Sequence, residues 1–197
     1  PDGASHHGLL DMMLLSKVPG MTMFAPSSYQ ELQQMFSDAL QITDGPIAIR
    51  YPRTPAPSVS ESEVGSGIKA RKVCAGEDVC ILSVGKMLDT AKEAAGALSD
   101  HGISVSVWDV RAITPLDETM INDAHKHRMV VTIEDGIAEG GVGSAIAEKL
   151  QRVLGETPQV HVLGIPVSFV PQGNPENLLS SFGLDARGLE ETVLRNL

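Results

Sequence analysis

The first residues of the chain concentrate side chains that can move protons. Ser5, His6 and His7 follow one another, and Asp2 lies shortly before them. Imidazole has an unperturbed pKa of about 6.5 and therefore exchanges a proton near neutral pH, and a hydroxyl or carboxylate can hydrogen-bond to it. Glycines flank the segment and leave room for a ligand or another backbone segment. This opening segment indicates general acid–base chemistry on a small molecule.

His6 is the candidate catalytic residue, because the nearby glycines leave space for a substrate beside its ring. The alternative is a structural role in which His6 caps the helix that follows. Asp2 lies four residues earlier, and the intervening turn could aim both side chains at one molecule. Its alternative is an Asx-turn carboxylate that serves only the loop. We interpret Asp11 as a helix-start charge that interacts with the helix dipole, and His7 as secondary.

Arg53 is the second candidate, and it suits a phosphate group. It follows a Tyr-Pro pair at the end of a predicted strand, where α/β sheets place their ligand-binding loops and where proline stiffens the backbone. Charge-assisted hydrogen bonds from a guanidinium contribute about 1.5–3 kcal/mol each. The alternative is a surface ion pair of little energetic value. Arg50 is a weaker candidate, because alternation along the strand points it to the opposite face from Tyr51.

The rest of the sequence predicts alternating strands and helices, which would hold His6 and Arg53 in position. Ser28 and Glu31 stand at capping-box spacing, and apolar residues then recur every three or four positions up to Leu40, which predicts a helix. The other helices are predicted at 9–17, 88–99, 116–125, 144–154, 175–181 and 187–197. The strands are predicted at 21–25, 47–51, 79–84, 104–110, 129–133 and 160–163. This alternation predicts an α/β fold with right-handed crossovers between parallel strands.

The chain divides at residues 54–67, which are rich in Pro, Ser and Gly and poor in apolar residues. Such a composition is typical of a linker. We therefore predict a first domain over residues 1–53 and a second over residues 68–197.

A glycine-rich loop at 140–144 (GGVGS) precedes a predicted helix and superficially offers a phosphate cradle. The spacing does not match a dinucleotide-binding fingerprint, and Glu134, Asp135 and Glu139 would repel a phosphate. We expect these glycines to allow close packing against a neighbouring domain or subunit.

The overall composition narrows the classes of partner. The formal net charge is −10, and there is no block of basic residues, which excludes nucleic acid and an anionic membrane surface as expected partners. Cys74 and Cys80 do not form a CxxC pair, and we expect buried free thiols rather than a disulfide or zinc site. His125 and His127 diverge on a helix surface, so we expect no metal pair there.

Two further expectations concern the compartment and the ends of the chain. No apolar run approaches the roughly 20 residues that span a bilayer, and no signal peptide is visible, so a reducing cytoplasm is expected. The sequence starts at Pro1 inside the opening segment, which we interpret as the mark of a fragment.

Five motifs in order carry a resemblance to a known family. They are DGASHHG at 2–8, VPGM at 18–21, APS at 25–27, DGP at 44–46 and RYPR at 50–53. With them the chain resembles the 1-deoxy-D-xylulose-5-phosphate synthases, which are thiamine-diphosphate enzymes of the transketolase superfamily. The resemblance covers essentially the whole chain, but only the C-terminal third of such an enzyme.

The resemblance implies a fold, a reaction and site residues. The fold would be the end of a thiamine-diphosphate-binding (pyrimidine) domain plus a doubly wound transketolase C-terminal domain that mainly supports assembly. The reaction would be the decarboxylating condensation of pyruvate with glyceraldehyde 3-phosphate. His6 would act at the reaction centre, Asp2 would bind a hydroxyl of the acceptor, and Arg53 would bind its phosphate. Thr54 replaces the glycine usual after this arginine, so the loop there is expected to bend differently.

The resemblance also implies parts that this sequence lacks. Thiamine diphosphate and Mg²⁺ would be bound mainly by a Gly-Asp-Gly motif with a following Asn, and a glutamate would activate the cofactor. We find neither, so the cofactor ligands are expected N-terminal to Pro1, in the missing portion of a homodimeric enzyme, and this chain alone is expected to be inactive. Two alternatives remain: the β subunit of a 2-oxo acid dehydrogenase E1, and a non-catalytic dimerisation module.

Overall fold

The computed structural model describes residues 3–197, so the predicted acceptor ligand Asp2 lies outside the described residues. The α-helices in that range are α1 (Asp11–Leu15), α2 (Tyr29–Ala39), α3 (Leu88–Asp100), α4 (Glu118–Ala124), α5 (Val142–Leu150), α6 (Pro175–Ser181) and α7 (Ala186–Asn196). The strands are β1 (Thr22–Phe24), β2 (Ile47–Ile49), β3 (Arg71–Cys74), β4 (Val79–Ser83), β5 (Val105–Asp109), β6 (Ala112–Thr114), β7 (Met129–Ile137) and β8 (Gln159–Ile165).

The larger sheet has five strands in the order β3-β5-β4-β7-β8. Strands β5, β4, β7 and β8 are parallel, and β3 pairs antiparallel with β5 at one edge. Side chains alternate between two apolar layers, as the geometry of a strand requires. Val79 and Ile81 pack with α3 and α7, whereas Cys80 and Leu82 pack with α4 and α5. The predicted α/β fold is confirmed.

The smaller sheet joins both sides of the predicted linker. Its order is β2-β1-β6, with β1 parallel to β2 and antiparallel to β6. Strand β6 follows the linker in sequence, so residues from the predicted second domain complete a sheet of the first. The division at 54–67 stays a prediction.

The structure corrects several predicted elements. Strands β3 and β6 were not predicted, because each is short and owes its conformation to a partner strand rather than to its own pattern. Strand β7 continues to Ile137, past the predicted end at residue 133, with a register shift between Ile133 and Ile137. The added residues include the charged pair Glu134 and Asp135, which the irregularity accommodates within the strand. No helix within residues 3–197 is both long and apolar enough to cross a membrane.

A buried arginine holds the predicted linker in place. Arg111, at the β5–β6 corner, is fully buried with φ of 57°, and its Nε donates to Glu31 Oε2 at 2.7 Å. Its Nη1 donates to three carbonyl oxygens at 3.3, 3.0 and 2.6 Å, those of Ser66, Gly67 and Lys69. Glu31 Oε1 accepts from the Gly65 amide at 2.7 Å. This ion pair therefore fixes the path of the linker between α2 and the large sheet.

Asp109 is a second buried charge at the same junction. Its Oδ2 accepts from Ser27 Oγ at 2.5 Å, and Arg71 Nη2 is 3.8 Å away. Its Oδ1 has no hydrogen-bond partner within the described part of the chain. Burial, reinforced by the like charge of Glu31, raises the pKa of Asp109 to about 7, although Ser27 and Arg71 oppose the shift. The neutral acid is therefore the form that the fold favours.

We expect this carboxyl group to lower the free energy of unfolding as the pH rises. An unfolded Asp loses its proton at about pH 4, whereas native Asp109 keeps it to about pH 7, so unfolding releases a proton between these values. The loss is about 4 kcal/mol at most, at about 1.4 kcal/mol per pH unit. Asp109→Asn cannot ionise, so its stability relative to the unmodified protein should increase from pH 4 to pH 7. Urea unfolding across that range measures the difference, and a constant difference would contradict the expectation.

Candidate functional site

A cavity of about 600 Å³ lies where the opening segment, the end of β2 and the large sheet meet. His6 and Arg53 both line it, so the structure brings these two predicted site residues to one cavity. His7, Arg50, Lys86 and Asp135 also line its polar side. Part of the remaining wall is apolar and comes from the end of β8 and from α6, including Ile165, Leu178 and Phe182. The arrangement offers cations and imidazoles facing an apolar surface.

His6 stands on a tight turn before α1. Its amide donates to the Gly3 carbonyl at 3.1 Å, and Gly3 adopts φ of 77°, a conformation that glycine tolerates. The His6 ring is exposed, and its Nδ1 is 2.9 Å from Ser5 Oγ. Helix α1 begins after Leu10 and has no side-chain cap. The alternative in which His6 caps that helix is therefore wrong.

Arg50 occupies the cavity wall, contrary to the expectation that it points away. Strand β2 ends at Ile49, so the alternation that separated Arg50 from Tyr51 does not extend to them, and both line the cavity. The Arg50 guanidinium binds the Asp135 carboxylate, and its Nε donates to Asp11 Oδ2 at 3.4 Å. Asp11 is thus an ion-pair partner in this wall as well as a helix-start charge.

The charges in this wall balance one another. Lys86, in the turn after β4, places its Nζ 3.6 Å from Asp135 Oδ2. Burial lowers the pKa of Arg50, but the attraction of Asp135 and Asp11 outweighs it and raises the pKa above its ordinary value. Arg50 therefore stays charged. Arg50 and Lys86 together match the two carboxylates, so this cluster has no net charge.

The glycine-rich loop before α5 holds a carboxylate of its own. Glu134 Oε1 accepts from the Gly143 amide at 2.8 Å, and Oε2 accepts from the Val142 amide at 3.2 Å. Burial raises the pKa of Glu134 to about 7, although these two amides lower it. A Cβ on Gly141 would lie 2.1 Å from the Ile137 carbonyl oxygen. The glycines thus allow close packing: Gly141 lies against β7 of its own sheet, and Gly140 lies against Met13 of α1. Contact of this loop with a neighbouring subunit stays a prediction.

Two family models match this chain: Transketolase, C-terminal domain, over residues 68–189, and Transketolase, pyrimidine binding domain, over residues 1–58. The chain belongs to the transketolase family. Its curated relatives include the 1-deoxy-D-xylulose-5-phosphate synthases of Magnetococcus marinus (38% identical, 98% of this chain covered) and Gloeobacter violaceus (37% identical, 100% covered). The resemblance expected from the sequence motifs is confirmed. The chain spans 31% of the length of each of these two relatives.

Two solved transketolase structures have a similar fold. One, described as a split gene transketolase and an inactive beta4 tetramer, superposes with a TM-score of 0.90 at 30% identity. The match covers 98% of this chain and 63% of that chain. The transketolase of Campylobacter jejuni superposes with a TM-score of 0.77 at 19% identity, over 99% of this chain and 29% of that chain, and shows the fold alone.

Transketolase family membership implies dependence on thiamine diphosphate. The side chains of this cavity do not fit the metal–diphosphate end of that cofactor. Mg²⁺ is bound through carboxylates together with phosphates and water, but Asp11 and Asp135 are already paired with Arg50 and Lys86. Within residues 3–197 no group of three or more His, Cys, Asp or Glu side chains is arranged to hold a metal ion. These paired groups therefore do not provide a metal–diphosphate site.

His127 and the two cysteines lie outside the predicted site and have structural positions in the fold. His127 is buried, and its Nδ1 and Nε2 lie 3.0 Å from the carbonyl oxygens of Asp123 and Gly76. Both cysteines are free thiols, and Cys80 is buried, as predicted. Cys74 is only half-buried, so the prediction of burial is wrong for it.

Sequence reasoning missed Lys86 and Asp135 as residues of the cavity wall and ranked Arg50 below Arg53, although one pattern indicates all three. Arg50 follows β2, Lys86 follows β4, and Asp135 lies near the end of β7. These positions share the carboxyl edges of parallel strands, where α/β folds bind ligands. Applied to every predicted strand end, this argument would have found Lys86 and Asp135, but it was applied only to the strand that precedes Arg53.

Proposed function

We propose that this chain is the C-terminal part of a 1-deoxy-D-xylulose-5-phosphate synthase, a transferase that condenses pyruvate with D-glyceraldehyde 3-phosphate and releases carbon dioxide. Its product would supply isoprenoid precursors by the non-mevalonate route, and thiamine and pyridoxal synthesis. The observation that carries the proposal is the convergence of His6 and Arg53 on one cavity. Similarity to these synthases over essentially the whole chain supports the choice of reaction.

Each predicted residue has a role that follows from its chemistry. His6 would hold and move a proton at the reacting carbonyl oxygen, because imidazole both donates and accepts near neutral pH. Arg53 would bind the acceptor phosphate through its planar guanidinium. Asp2 would accept a hydrogen bond from an acceptor hydroxyl. The apolar wall would exclude water from the reacting carbons.

The cofactor and its metal would come from the missing N-terminal portion of the same enzyme. When bound, thiamine diphosphate supplies the carbon nucleophile, and Mg²⁺ anchors its diphosphate. This chain would supply the acceptor-binding half of the site within a homodimer. Free cysteines favour a reducing, cytoplasmic location.

A separate N-terminal chain is a second possible arrangement, and one observation favours it. The similar structure with a TM-score of 0.90 is described as a split gene transketolase and an inactive beta4 tetramer. In that arrangement, this chain alone would assemble without catalysing. Mass spectrometry of the protein from its natural source would distinguish one long chain from two.

The reaction is tested with the complete enzyme, pyruvate and glyceraldehyde 3-phosphate. We expect carbon dioxide release that depends on the acceptor and formation of the five-carbon product. Transfer only to a lipoyl group would instead identify the β subunit of a 2-oxo acid dehydrogenase E1.

Replacing Arg53 by Ala should weaken acceptor binding selectively. Losing charge-assisted bonds to a phosphate costs about 1.5–3 kcal/mol each, so KM for glyceraldehyde 3-phosphate should rise about tenfold to a hundredfold. KM for pyruvate should stay nearly constant, because pyruvate has no phosphate. Steady-state kinetics on the complete enzyme measures both values. Arg128→Ala, an exposed arginine outside the cavity, is the control, and equal losses for both substrates would argue against a phosphate role.

A further inference from the structure

Arg50 connects three elements that surround the cavity. It follows β2 and precedes Arg53 by three positions. Its Nη1 binds the Asp135 carboxylate of β7, and its Nη2 donates to the Asp135 carbonyl at 3.4 Å. Its Nε donates to Asp11 Oδ2 of α1 at 3.4 Å. One guanidinium thus joins the segment that carries Arg53, the helix that follows His6, and the large sheet.

The opening segment rests on the irregular end of β7. The Ile137 amide donates to the Leu9 carbonyl at 3.0 Å. Gly136 lies between Asp135 and this contact, and a Cβ there would lie 2.5 Å from the Cε of the buried Met12. The backbone of the segment that carries His6 is therefore in direct contact with β7. The Arg53 segment reaches the same point of β7 through the Arg50 side chain.

Arg50 is better suited to anchoring than to binding substrate. Its side chain is only 15% exposed, and two carboxylates engage it. Lys86 also faces Asp135, so the two cations and two carboxylates balance. A substrate phosphate would have to displace these carboxylates to reach Arg50, and a buried charge that loses its partner is costly.

We propose that Arg50 is a positioning residue, which sets the separation of His6 and Arg53 by clamping their two segments to Asp135. This inference rests on the proposed function for its kinetic consequence, but the clamp itself concerns only residues of this chain. The C-terminal domain thereby contributes to the geometry of the acceptor site through Asp135, in addition to its part in assembly.

The kinetic test uses the complete enzyme and a double-mutant cycle. Arg50→Ala and Asp135→Asn should each lower kcat/KM for glyceraldehyde 3-phosphate, Arg50→Ala by about a hundredfold, because a misplacement of about 1 Å has that order of effect. The combined loss in the double variant should be smaller than the sum of the two single losses, because both changes break the Arg50–Asp135 pair, although Asp135 also pairs with Lys86 and Arg50 also pairs with Asp11. Arg50→Lys should recover only part of the loss, because an ammonium lacks the planar fork. Arg187→Ala, which breaks an exposed ion pair with Glu191, is the matched control.

A second measurement does not depend on activity. Hydrogen exchange should become faster in Arg50→Ala at the Ile137 amide and at the amide of residue 50, which donates to the Phe24 carbonyl at 2.9 Å, while the amides of α3 and β4 keep their protection. Guanidinium ion added to Arg50→Ala should restore part of both the protection and the kcat/KM.

Two results would overturn the clamp. One is additive kinetic effects of the Arg50 and Asp135 changes. The other is unchanged hydrogen exchange at Ile137, in particular together with a rise only in the KM for glyceraldehyde 3-phosphate. That combination would mean that Arg50 touches the phosphate directly. If the unmodified complete enzyme does not carry out the condensation, the proposed function fails, and hydrogen exchange still decides whether the clamp exists.

Discussion

His6→Ala is expected to lower kcat of the complete enzyme about 10²- to 10⁴-fold, which is the usual contribution of a general acid–base group. The ring lines the cavity and is exposed, and its contact with Ser5 involves another exposed side chain. Its removal should therefore leave the fold intact. Turnover at saturating pyruvate and glyceraldehyde 3-phosphate, with the melting temperature measured in parallel, separates these effects.

His101→Ala provides the control for this experiment. His101 is also exposed and pairs with Glu190, but it does not line the cavity. Its loss should leave kcat unchanged. If His6→Ala also left turnover unchanged, the non-catalytic assembly module would become the better interpretation.

Arg111→Ala is expected to destabilise the fold by about 3–5 kcal/mol, because the buried Glu31 carboxylate loses its hydrogen-bonded cation and keeps only the more distant Arg71, at 3.9 Å. Both side chains are at most 1% exposed, and the pair lies 2.7 Å apart. The change also removes the donor that satisfies three carbonyl groups near the linker. The melting temperature by calorimetry and hydrogen exchange at residues 65–69 should both report the loss.

A double variant tests whether the ion pair itself is responsible. Arg111→Met combined with Glu31→Leu should destabilise less than Arg111→Ala, because no unpaired charge remains buried. Arg152→Ala, which breaks an exposed pair with Glu148, should leave the melting temperature unchanged. A loss no larger than that of this control would contradict a stabilising role for Arg111.

The large sheet could be predicted from the sequence because its central strands are rich in apolar residues and its helices have a clear apolar periodicity. The α/β fold and strands such as β4 and β8 followed from these local patterns. Strands β3 and β6 could not be predicted from such patterns. Each has only three or four residues, which is too few to show a clear periodicity, and each is held in place by a partner strand. The position of Arg50 was predicted wrongly because alternation was extended two residues, to Tyr51, beyond the end of β2 at Ile49.

The sequence by itself determined the family, the alternation of elements and the candidate site residues Asp2, His6 and Arg53, because these depend on residue types and spacing along the chain. Only the tertiary structure decided that Arg50, Asp11, Lys86 and Asp135 form one balanced cluster in the cavity wall. Ion pairs between residues as far apart as Arg50 and Asp135 depend on how strands and helices pack, and no local pattern encodes that distance. The ion pair of Glu31 and Arg111 could not be predicted for the same reason, since folding brings these two distant residues together in the protein interior.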